Sequence, residues 1–270
     1  LATRAFRSVG GMGAIMPRVP RTRFNVAIGG ERIVAFGSLP LEPLRSIGKA
    51  HGCTVNDAFM AVCAGALHSY LEELGELPAR SLLAGTPVSL RKPGDTSMHN
   101  QVSMLMCELG TDREDPIERM QTIRESVDGG IEVVRRLDNV RLGDITILGL
   151  PIAFQGMATL ANRLRLGSVI RLPMNIVISN IPGPRETVYL DGARMLTHYP
   201  VSIPSHGAAL NITVQSYDGR MDFGLIGCRR TVPDIHVLRD HVLDAWRELQ
   251  QAAGRKPAPP LSADPQARVA

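Results

Sequence analysis

Aromatic residues are scarce in this 270-residue chain: they make up 4% of it and include a single tryptophan. Hydrophobic residues still account for 44% and charged residues for 21%, a balance that is typical of globular domains and excludes a disordered chain or a fibre. Because rings are few, we expect branched aliphatic side chains, alanine and methionine to fill the core. The length is sufficient to bury a substantial core.

Cysteine is also rare, and its placement excludes two classes of small scaffold. Cys53, Cys63, Cys107 and Cys228 form no Cys-x-x-Cys pair and lie within apolar or helical runs. Disulfide frameworks and zinc sites need closely spaced or paired cysteines. The sequence therefore predicts buried thiols in a reducing cytoplasm and no metal site.

A large excess of charge of one sign is missing as well. The formal net charge is +4 and the pI is about 9.1. This bias is too small to indicate a nucleic-acid partner, but it suits an acidic lipid surface or a phosphate-bearing cosubstrate. We therefore expect no nucleic acid as a partner.

Long hydrophobic runs are absent, with one borderline case. Residues 145–162 carry no charge, but Gly149, Pro151 and Gln155 interrupt them, whereas a spanning helix needs about 20 mostly apolar residues. A buried helix is the favoured interpretation. The alternatives are an amphipathic segment resting on lipid and, less favoured, a membrane span.

The remaining chain alternates between helical and strand patterns. This alternation predicts an α/β domain with a mixed β-sheet flanked by helices. Residues 1–22, rich in Gly, Pro and Arg, are predicted to be a linker, residues 23–250 the domain, and residues 251–270 a disordered tail. The predicted helices cover 40–50, 54–71, 116–136 and a stretch from 233 onward; the predicted strands cover 32–39, 81–89, 101–109, 175–181, 187–190, 195–200, 209–217 and 221–228.

The pair Asn56-Asp57 opens the clearest predicted helix and allows two interpretations. Asp57 stands three residues after Thr54, so the two match a capping box, and an acid near the positive end of the helix dipole is favoured. Alternatively, Asn56 or Asp57 faces a cavity and orients a neighbouring catalytic group. Spacing alone favours the structural interpretation.

A second unusual run begins at Asn175. A strand rich in Ile and Val ends in Ser179 and Asn180, followed by the rigid turn Pro182-Gly183-Pro184. Proline fixes φ and glycine permits unusual dihedrals, so the turn holds one defined shape. Ser179 and Asn180 either hydrogen-bond to their own turn or face a binding site.

Three further patterns supply no catalytic centre. The run Asp222-Phe223-Gly224, with Gly227, places two glycines in a predicted strand, which indicates a bulge or a close backbone approach. His236 and Asp240 share one face of an amphipathic helix, where a surface pair is the default. Ser205 and His206 are adjacent in sequence, which does not by itself give a nucleophile–base hydrogen bond. On the residues alone, the chain is a mixed α/β domain without a visible catalytic residue.

An ordered set of motifs resembles the second half of bacterial wax ester synthases/diacylglycerol acyltransferases. The resemblance covers roughly residues 22–250, and the order of its motifs is what makes it specific. The motifs are Phe24-Asn25-Val26, Thr54-Val55-Asn56-Asp57, the run Asn175 to Pro184 (NIVISNIPGP), His206-Gly207, Tyr217-Asp218-Gly219 and Asp222-Phe223-Gly224.

The resemblance implies a fold similar to chloramphenicol acetyltransferase, with two like domains and an active site in a tunnel between them. It implies transfer of a fatty acyl group from acyl-CoA to diacylglycerol or to a long-chain alcohol, without metal or prosthetic group. Asn56 and Asp57 are implied to brace the tunnel and the catalytic histidine. Asn100, Asn175, Ser179 and Asn180 are implied to lie on its substrate side. The turn Pro182-Gly183-Pro184 and the run Asp222-Phe223-Gly224 are implied to shape the fold.

The resemblance also exposes a departure. The family's HHxxxDG motif belongs to its N-terminal domain, and this chain contains no His-His pair. We therefore expect the catalytic histidine in a missing N-terminal domain, and a chain that is inactive alone. A second departure is His99-Asn100, where relatives carry Gly-Asn.

Two alternatives stay open at this point. A related condensation or polyketide-associated acyltransferase ranks lower, because those lack the SNIPGP turn. A non-catalytic half that binds a lipid surface or a partner acyltransferase is the alternative from another class. In either class the protein is expected in the cytoplasm, with peripheral attachment to a membrane or to lipid inclusions as a further expectation.

Overall fold

The computed structural model describes residues 19–89, 102–138, 172–184, 186–256 and 261. Four helices lie within these ranges: α1 (Leu41–Ala50), α2 (Val55–Glu73), α3 (Pro116–Asp138) and α4 (Ile235–Ala252). The strands of the same ranges are β1 (Arg32–Pro40), β2 (Leu83–Ser89), β3 (Val102–Glu108), β4 (Ile176–Pro182), β5 (Tyr189–Leu190), β6 (Ala193–Arg194), β7 (Leu210–Tyr217) and β8 (Arg220–Cys228).

Six of the strands form one sheet in the order β1-β8-β7-β4-β2-β3. Strand β4 runs parallel to both β2 and β7, whereas the other neighbours are antiparallel. Parallel neighbours require a crossover connection, and between β2 and β4 the chain passes through β3 and α3. The predicted mixed sheet flanked by helices is confirmed.

Helix α2 lies at the centre of the helical layer on one face of the sheet and packs against α1, α3 and α4. It is buried from Asp57 to Leu67 without a break, because helices lie on several of its sides and the sheet on another. Alternate residues of the strands complete this core, among them Ile176 and Ile178 of β4 and Phe223 of β8. Aliphatic side chains dominate it, as the low aromatic content predicts.

The start of α2 follows from its first four residues. The Thr54 hydroxyl accepts a hydrogen bond from the Asp57 backbone N–H (3.2 Å), and the Asp57 carboxylate accepts one from the Thr54 backbone N–H (2.7 Å). Two of the otherwise unpaired donors at the helix start are thereby satisfied. The predicted capping box is confirmed.

One strand prediction is wrong: residues 195–200 form no strand. This segment instead lies against β8 and β1. The backbone N–H of His198 donates to the carboxylate of Asp222 on β8 (2.9 Å), and the ring of Tyr199 stands 5.2 Å from the ring of Phe36 on β1. A Cβ added at Gly224 would lie 2.0 Å from the Pro200 carbonyl oxygen. Side-chain contacts thus replace the ladder hydrogen bonds that the apolar alternation suggested.

Some predictions fall outside the described residues, namely the uncharged segment 145–162, the loop holding Asn100, and most of the predicted linker and tail. In the part of the chain that is described, no helix has the length and apolar character needed to cross a bilayer.

Candidate functional site

The central feature of the sheet is its trio of parallel strands β2, β4 and β7. Their carboxyl ends point to the same edge, and in open α/β sheets the crevice outside this edge is where ligands bind. The amino end of α2 reaches that edge beside β4. Helix N-termini carry unpaired N–H groups and a partial positive charge, so this junction is a polar site bounded by an apolar core.

Asn56 and Asn180 meet at this junction. The Asn180 side-chain N–H₂ (Nδ2) donates a hydrogen bond of 3.1 Å to the Asn56 side-chain carbonyl (Oδ1), and the two residues are 124 positions apart in the chain. Asn180 follows Ile176 and Ile178 on the helix-facing side of β4, because alternate strand residues share a face. Both amides are half-buried, and Asn56 Nδ2 contacts the Met60 sulfur at 3.4 Å.

Asp57 is the next residue of α2 after Asn56, and it has a charged partner. Its carboxylate, 2% exposed, stands 3.5 Å from the guanidinium of Arg124 on α3. Arg124 also pairs with Asp128 at 2.9 Å, one turn further along α3. Arg124 therefore connects α3 to the first turn of α2, the turn that presents Asn56. In the sequence, the spacing between Arg124 and Asp128 indicates only a pair on the surface of a helix. No sequence pattern predicted that Arg124 contacts Asp57.

Ser179 points the other way. It alternates with Asn180 along β4 and pairs in register with Thr213 of β7, on the face opposite the helices. There Thr213 is buried and donates to the Asn211 side-chain carbonyl (2.8 Å). The structure thus brings Asn180, and not Ser179, to Asn56.

Asn175 has a different environment from Asn180. Its carbonyl oxygen accepts from the Leu83 backbone N–H (2.9 Å), and its N–H₂ donates to the Pro20 carbonyl and to the Asn25 side-chain carbonyl (both 2.7 Å). It is fully buried. These bonds attach residues 20–25 to the start of β4, so Asn175 holds segments of the fold together.

The turn Pro182-Gly183-Pro184 is held against β7. The Gly183 backbone N–H donates to the Ser216 hydroxyl (3.4 Å), and a Cβ added at Gly183 would lie 1.9 Å from the Ser216 carbonyl oxygen. Only glycine permits this approach without a shift of either segment. The turn thereby fixes where β4 ends, immediately after Asn180.

The run Asp222-Phe223-Gly224 lies in the interior of β8. The fully buried Asp222 carboxylate accepts from the Ser38 hydroxyl (2.5 Å) and from Arg220 Nε (3.1 Å). The Phe223 ring faces the helices, 6.3 Å from the ring of Phe59. A buried charge needs such partners, and Asp222 uses them to join β1, β8 and the segment at His198.

The described histidines form no catalytic group with a nucleophile. His206 Nδ1 accepts from the Ile28 backbone N–H (3.2 Å). His236 is exposed, and Asp240 is paired with Arg239 instead. Across the residues that the structure describes, no three His, Cys, Asp or Glu side chains lie close enough to hold a metal ion.

Family models match two parts of the chain. The WS/DGAT C-terminal domain matches residues 98–250, and the wax ester synthase/diacylglycerol acyltransferase catalytic domain matches residues 3–59. Asn56 therefore lies in the part that matches the catalytic domain and Asn180 in the part that matches the C-terminal domain. Their hydrogen bond joins the two.

Solved structures with similar folds are acyltransferases and peptide-synthetase domains. The wax ester synthase/diacylglycerol acyltransferase from Marinobacter aquaeolei VT8 superposes with a TM-score of 0.69 at 34% identity, over 87% of this chain and 53% of that protein. The epimerization domain of tyrocidine synthetase B reaches 0.53 at 12% identity, over 92% and 56%, a likeness of fold alone. The match at 34% identity defines the fold class: a mixed-sheet domain with the chloramphenicol-acetyltransferase-like fold of the two-domain wax ester synthase/diacylglycerol acyltransferase.

Relatives in sequence agree with this class. The probable diacylglycerol O-acyltransferase tgs2 of Mycobacterium tuberculosis is 42% identical over 236 residues, which is 87% of this chain and 51% of that protein. The chain thus spans about half the length of the curated relatives it matches. It belongs to the wax ester synthase/diacylglycerol acyltransferase family, so the resemblance drawn from the motifs is confirmed.

Proposed function

We propose that this chain is the C-terminal part of an acyl-CoA-dependent O-acyltransferase that esterifies diacylglycerol or a long-chain alcohol. The observation that carries the proposal is the hydrogen bond between Asn56 and Asn180, which fixes two amides at the carboxyl edge of the parallel strands. The names of the relatives, all given as diacylglycerol O-acyltransferases, support the substrate class. Acyl-CoA serves as cosubstrate, and no cofactor is needed.

The chemistry divides between two parts of the protein. A histidine from a part that carries HHxxxDG takes the proton of the acceptor hydroxyl, and the oxygen attacks the thioester carbonyl. The tetrahedral intermediate then breaks its C–S bond, and the protonated histidine returns the proton to the CoA thiolate. The products are the ester and free CoA.

This chain's own contribution is to position groups beside that reaction. The first turn of α2, held by the capping box and by Arg124, presents Asn56. Asn180 donates to Asn56, and within the described residues its own side-chain carbonyl accepts no hydrogen bond. That free acceptor is available to the N–H of a catalytic imidazole or to the acceptor hydroxyl. Peripheral attachment to a membrane or to lipid inclusions, which we expect from the sequence, remains part of the proposal because the substrates are lipids.

The test is acyl transfer from a labelled long-chain acyl-CoA to dioleoylglycerol and to hexadecanol. The 270-residue chain is assayed alone and together with a polypeptide that carries HHxxxDG, taken from the tgs2 relative. Activity only in the mixture is expected, and the preferred acceptor then identifies the substrate.

Asn180→Ala is the variant that should lower the activity of the mixture, and Gln121→Ala, on the exposed side of α3, is its control. Activity of the chain alone contradicts the proposal, and inactivity of a mixture that associates favours a non-catalytic half.

A further inference from the structure

The face of the sheet that points away from the helices carries a row of polar side chains. Asn211, Thr213 and Gln215 alternate with core residues along β7, and Ser179 of β4 lies beside Thr213 in the sheet. We name these four residues the polar stripe. Polar side chains are ordinary on a sheet face that water covers, but Asn211 is 4% exposed and Gln215 is 9% exposed. The polar stripe is therefore buried, unlike a solvated sheet surface.

Most of the hydrogen-bonding capacity of the polar stripe is unfilled. Within the described residues its side chains make a single hydrogen bond, from the Thr213 hydroxyl to Asn211 Oδ1 (2.8 Å). The Asn211 N–H₂, the whole amide of Gln215 and the Ser179 hydroxyl are left without a partner there. Their atoms are not among the unpaired polar atoms that the described protein encloses completely, so a ligand can reach them. Because unpaired buried amides cost free energy, the polar stripe is suited to a ligand that pairs with them.

Apolar side chains border the polar stripe on both sides. On the side of β2 and β3, the sulfurs of Met174 and Met104 lie over Gly85, and Met104 is 43% exposed. On the side of β8 and β1, the rings of Phe36 and Tyr199 pack together at 5.2 Å. A polar row between two apolar flanks suits an amphipathic molecule, whose polar groups pair with the row while its hydrocarbon covers the flanks.

The polar stripe lacks charge, which restricts the chemistry of its ligand. Neither β4 nor β7 contains a charged residue. Asp222, the neighbour of Gln215 on β8, is paired with Arg220 at 3.1 Å. Phosphates are bound by Arg, Lys or helix N-termini, so the polar stripe does not suit the phosphates of coenzyme A. Its amides and hydroxyls instead match neutral hydroxyl and ester groups.

The length and direction of the polar stripe favour one of the two acceptors. Asn211 and Gln215 are four residues apart on one strand, a span of about 13 Å. The single hydroxyl of a long-chain alcohol pairs with one end of that span, whereas diacylglycerol has a hydroxyl and two esters. Gln215 lies in register with Ile181, the residue after Asn180. The polar stripe thus reaches the carboxyl edge that holds Asn180, but on the opposite face, so a lipid bound to it approaches the candidate site around the end of β4.

We propose that the polar stripe binds the ester and hydroxyl groups of diacylglycerol. Gln215 pairs with the end of the glycerol unit nearest the carboxyl edge, and the acyl chains lie on the apolar flanks. The inference rests on the proposed function, and it selects diacylglycerol over a long-chain alcohol as the acceptor.

The experiment measures binding, and not acyl transfer. The 270-residue chain is titrated with 1,2-dioctanoylglycerol, with decanol and with coenzyme A, and the dissociation constants are determined by calorimetry. Gln215→Met keeps the length of the side chain but removes its amide, and Ser179→Ala removes the hydroxyl. We expect each variant to bind dioctanoylglycerol at least about fivefold more weakly, because each removes hydrogen bonds to the ligand.

The matched control is Gln121→Met, the same substitution at an exposed position of α3. Its affinity for dioctanoylglycerol should stay within about twofold of wild type, because surface substitutions change little. The unfolding free energy of Gln215→Met in urea should equal or exceed that of wild type, because the lost amide has no partner in the described protein.

Four results overturn the inference. The first is failure of the wild-type chain to bind dioctanoylglycerol, and the second is equal affinity of wild type and Gln215→Met. The third is an equal loss of decanol binding, which contradicts the selection of diacylglycerol. The fourth is binding of coenzyme A that Gln215→Met abolishes, which assigns the polar stripe to the cosubstrate. Binding of dioctanoylglycerol that depends on Gln215, without acyl transfer in the mixture, leaves the site standing and removes the proposed function.

Discussion

Asn180, the fifth residue of β4, donates a 3.1 Å hydrogen bond to Asn56 in the first turn of α2. The bond spans the junction between the helical layer and the carboxyl edge of the parallel strands. It also joins the regions that match the two domain models of the family. The predictions below follow from what holds this pair in place.

Loss of either amide is expected to affect activity more than stability. Asn56→Ala and Asn180→Ala both remove the hydrogen bond between the two half-buried amides, which costs about 1 kcal/mol of unfolding free energy. Asn56→Ala also removes the weaker contact with the Met60 sulfur. We expect kcat/KM of the chain, assayed with the HHxxxDG-bearing half, to fall at least about tenfold for each. The double variant should lose less than the product of the two losses, because the two amides act as a unit.

Asn175→Ala provides the contrast in the same assays. Its side chain makes three hydrogen bonds in full burial, so its loss should lower the unfolding free energy by about 3 kcal/mol. Activity per folded molecule should change little. A stability loss at Asn180 that equals that at Asn175, with activity per folded molecule unchanged, would show that Asn180 is structural.

Arg124 is expected to support the site through Asp57. Arg124→Met leaves a carboxylate that is 2% exposed without its cation, but Arg124 is itself 36% exposed, so the pair is partly screened. The expected loss of unfolding free energy is about 1 kcal/mol, measured by urea denaturation. Arg124→Lys should restore part of it.

The comparison variant for Arg124 is Arg45→Met. Arg45 pairs with Glu42 on the exposed face of α1, where both side chains are more than half exposed. Loss of this pair should be close to neutral. Equal effects of the two substitutions would mean that the contact with Asp57 contributes nothing.

Gly183→Ala should displace the turn that follows Asn180. The new Cβ would meet the Ser216 carbonyl oxygen at 1.9 Å, and a clash with backbone costs about 1–3 kcal/mol. Both the unfolding midpoint and the activity with the complementing half should therefore fall. Gly30→Ala, whose Cβ meets nothing within 4 Å, is the matched control and should retain both.

Alkaline pH should destabilise the fold through its buried thiols. Burial raises the pKa of the Cys107 thiol from 9.0 to about 12, against a smaller opposing effect of its hydrogen bond with Ser126. Burial likewise raises the pKa of Cys63. A group whose folded pKa is raised because its neutral form is buried loses stability as pH rises above its unfolded pKa. The unfolding free energy should therefore fall above about pH 9, by about 1.4 kcal/mol per pH unit for each such thiol.

Cys107→Ala separates this effect from other alkaline titrations. The variant loses packing at every pH, but its unfolding free energy should decline less steeply between pH 9 and pH 10.5 in urea denaturation. Parallel slopes for wild type and variant would exclude the Cys107 thiol as a source of the pH dependence.

Local patterns in the sequence determined the elements and the family. The Thr54–Asp57 capping box and the apolar stripe after it fix α2 because they act within a few residues of one another. The turn Asp218-Gly219 between β7 and β8 has positive φ at both residues, as its sequence predicts. The ordered motifs identified the family because their order is a property of the chain itself.

The tertiary structure decided which of the singled-out polar residues meet. The sequence did not distinguish between Asn175, Ser179 and Asn180. In the structure, the hydrogen bonds of Asn175 hold segments of the fold together, Ser179 faces away from the helices, and Asn180 reaches Asn56. Strand alternation separates Ser179 from Asn180, but only the position of the sheet relative to the helices decides which face carries the site. Arg124 was likewise invisible in sequence, since a charge partner on another helix depends on packing between segments that are distant in the chain.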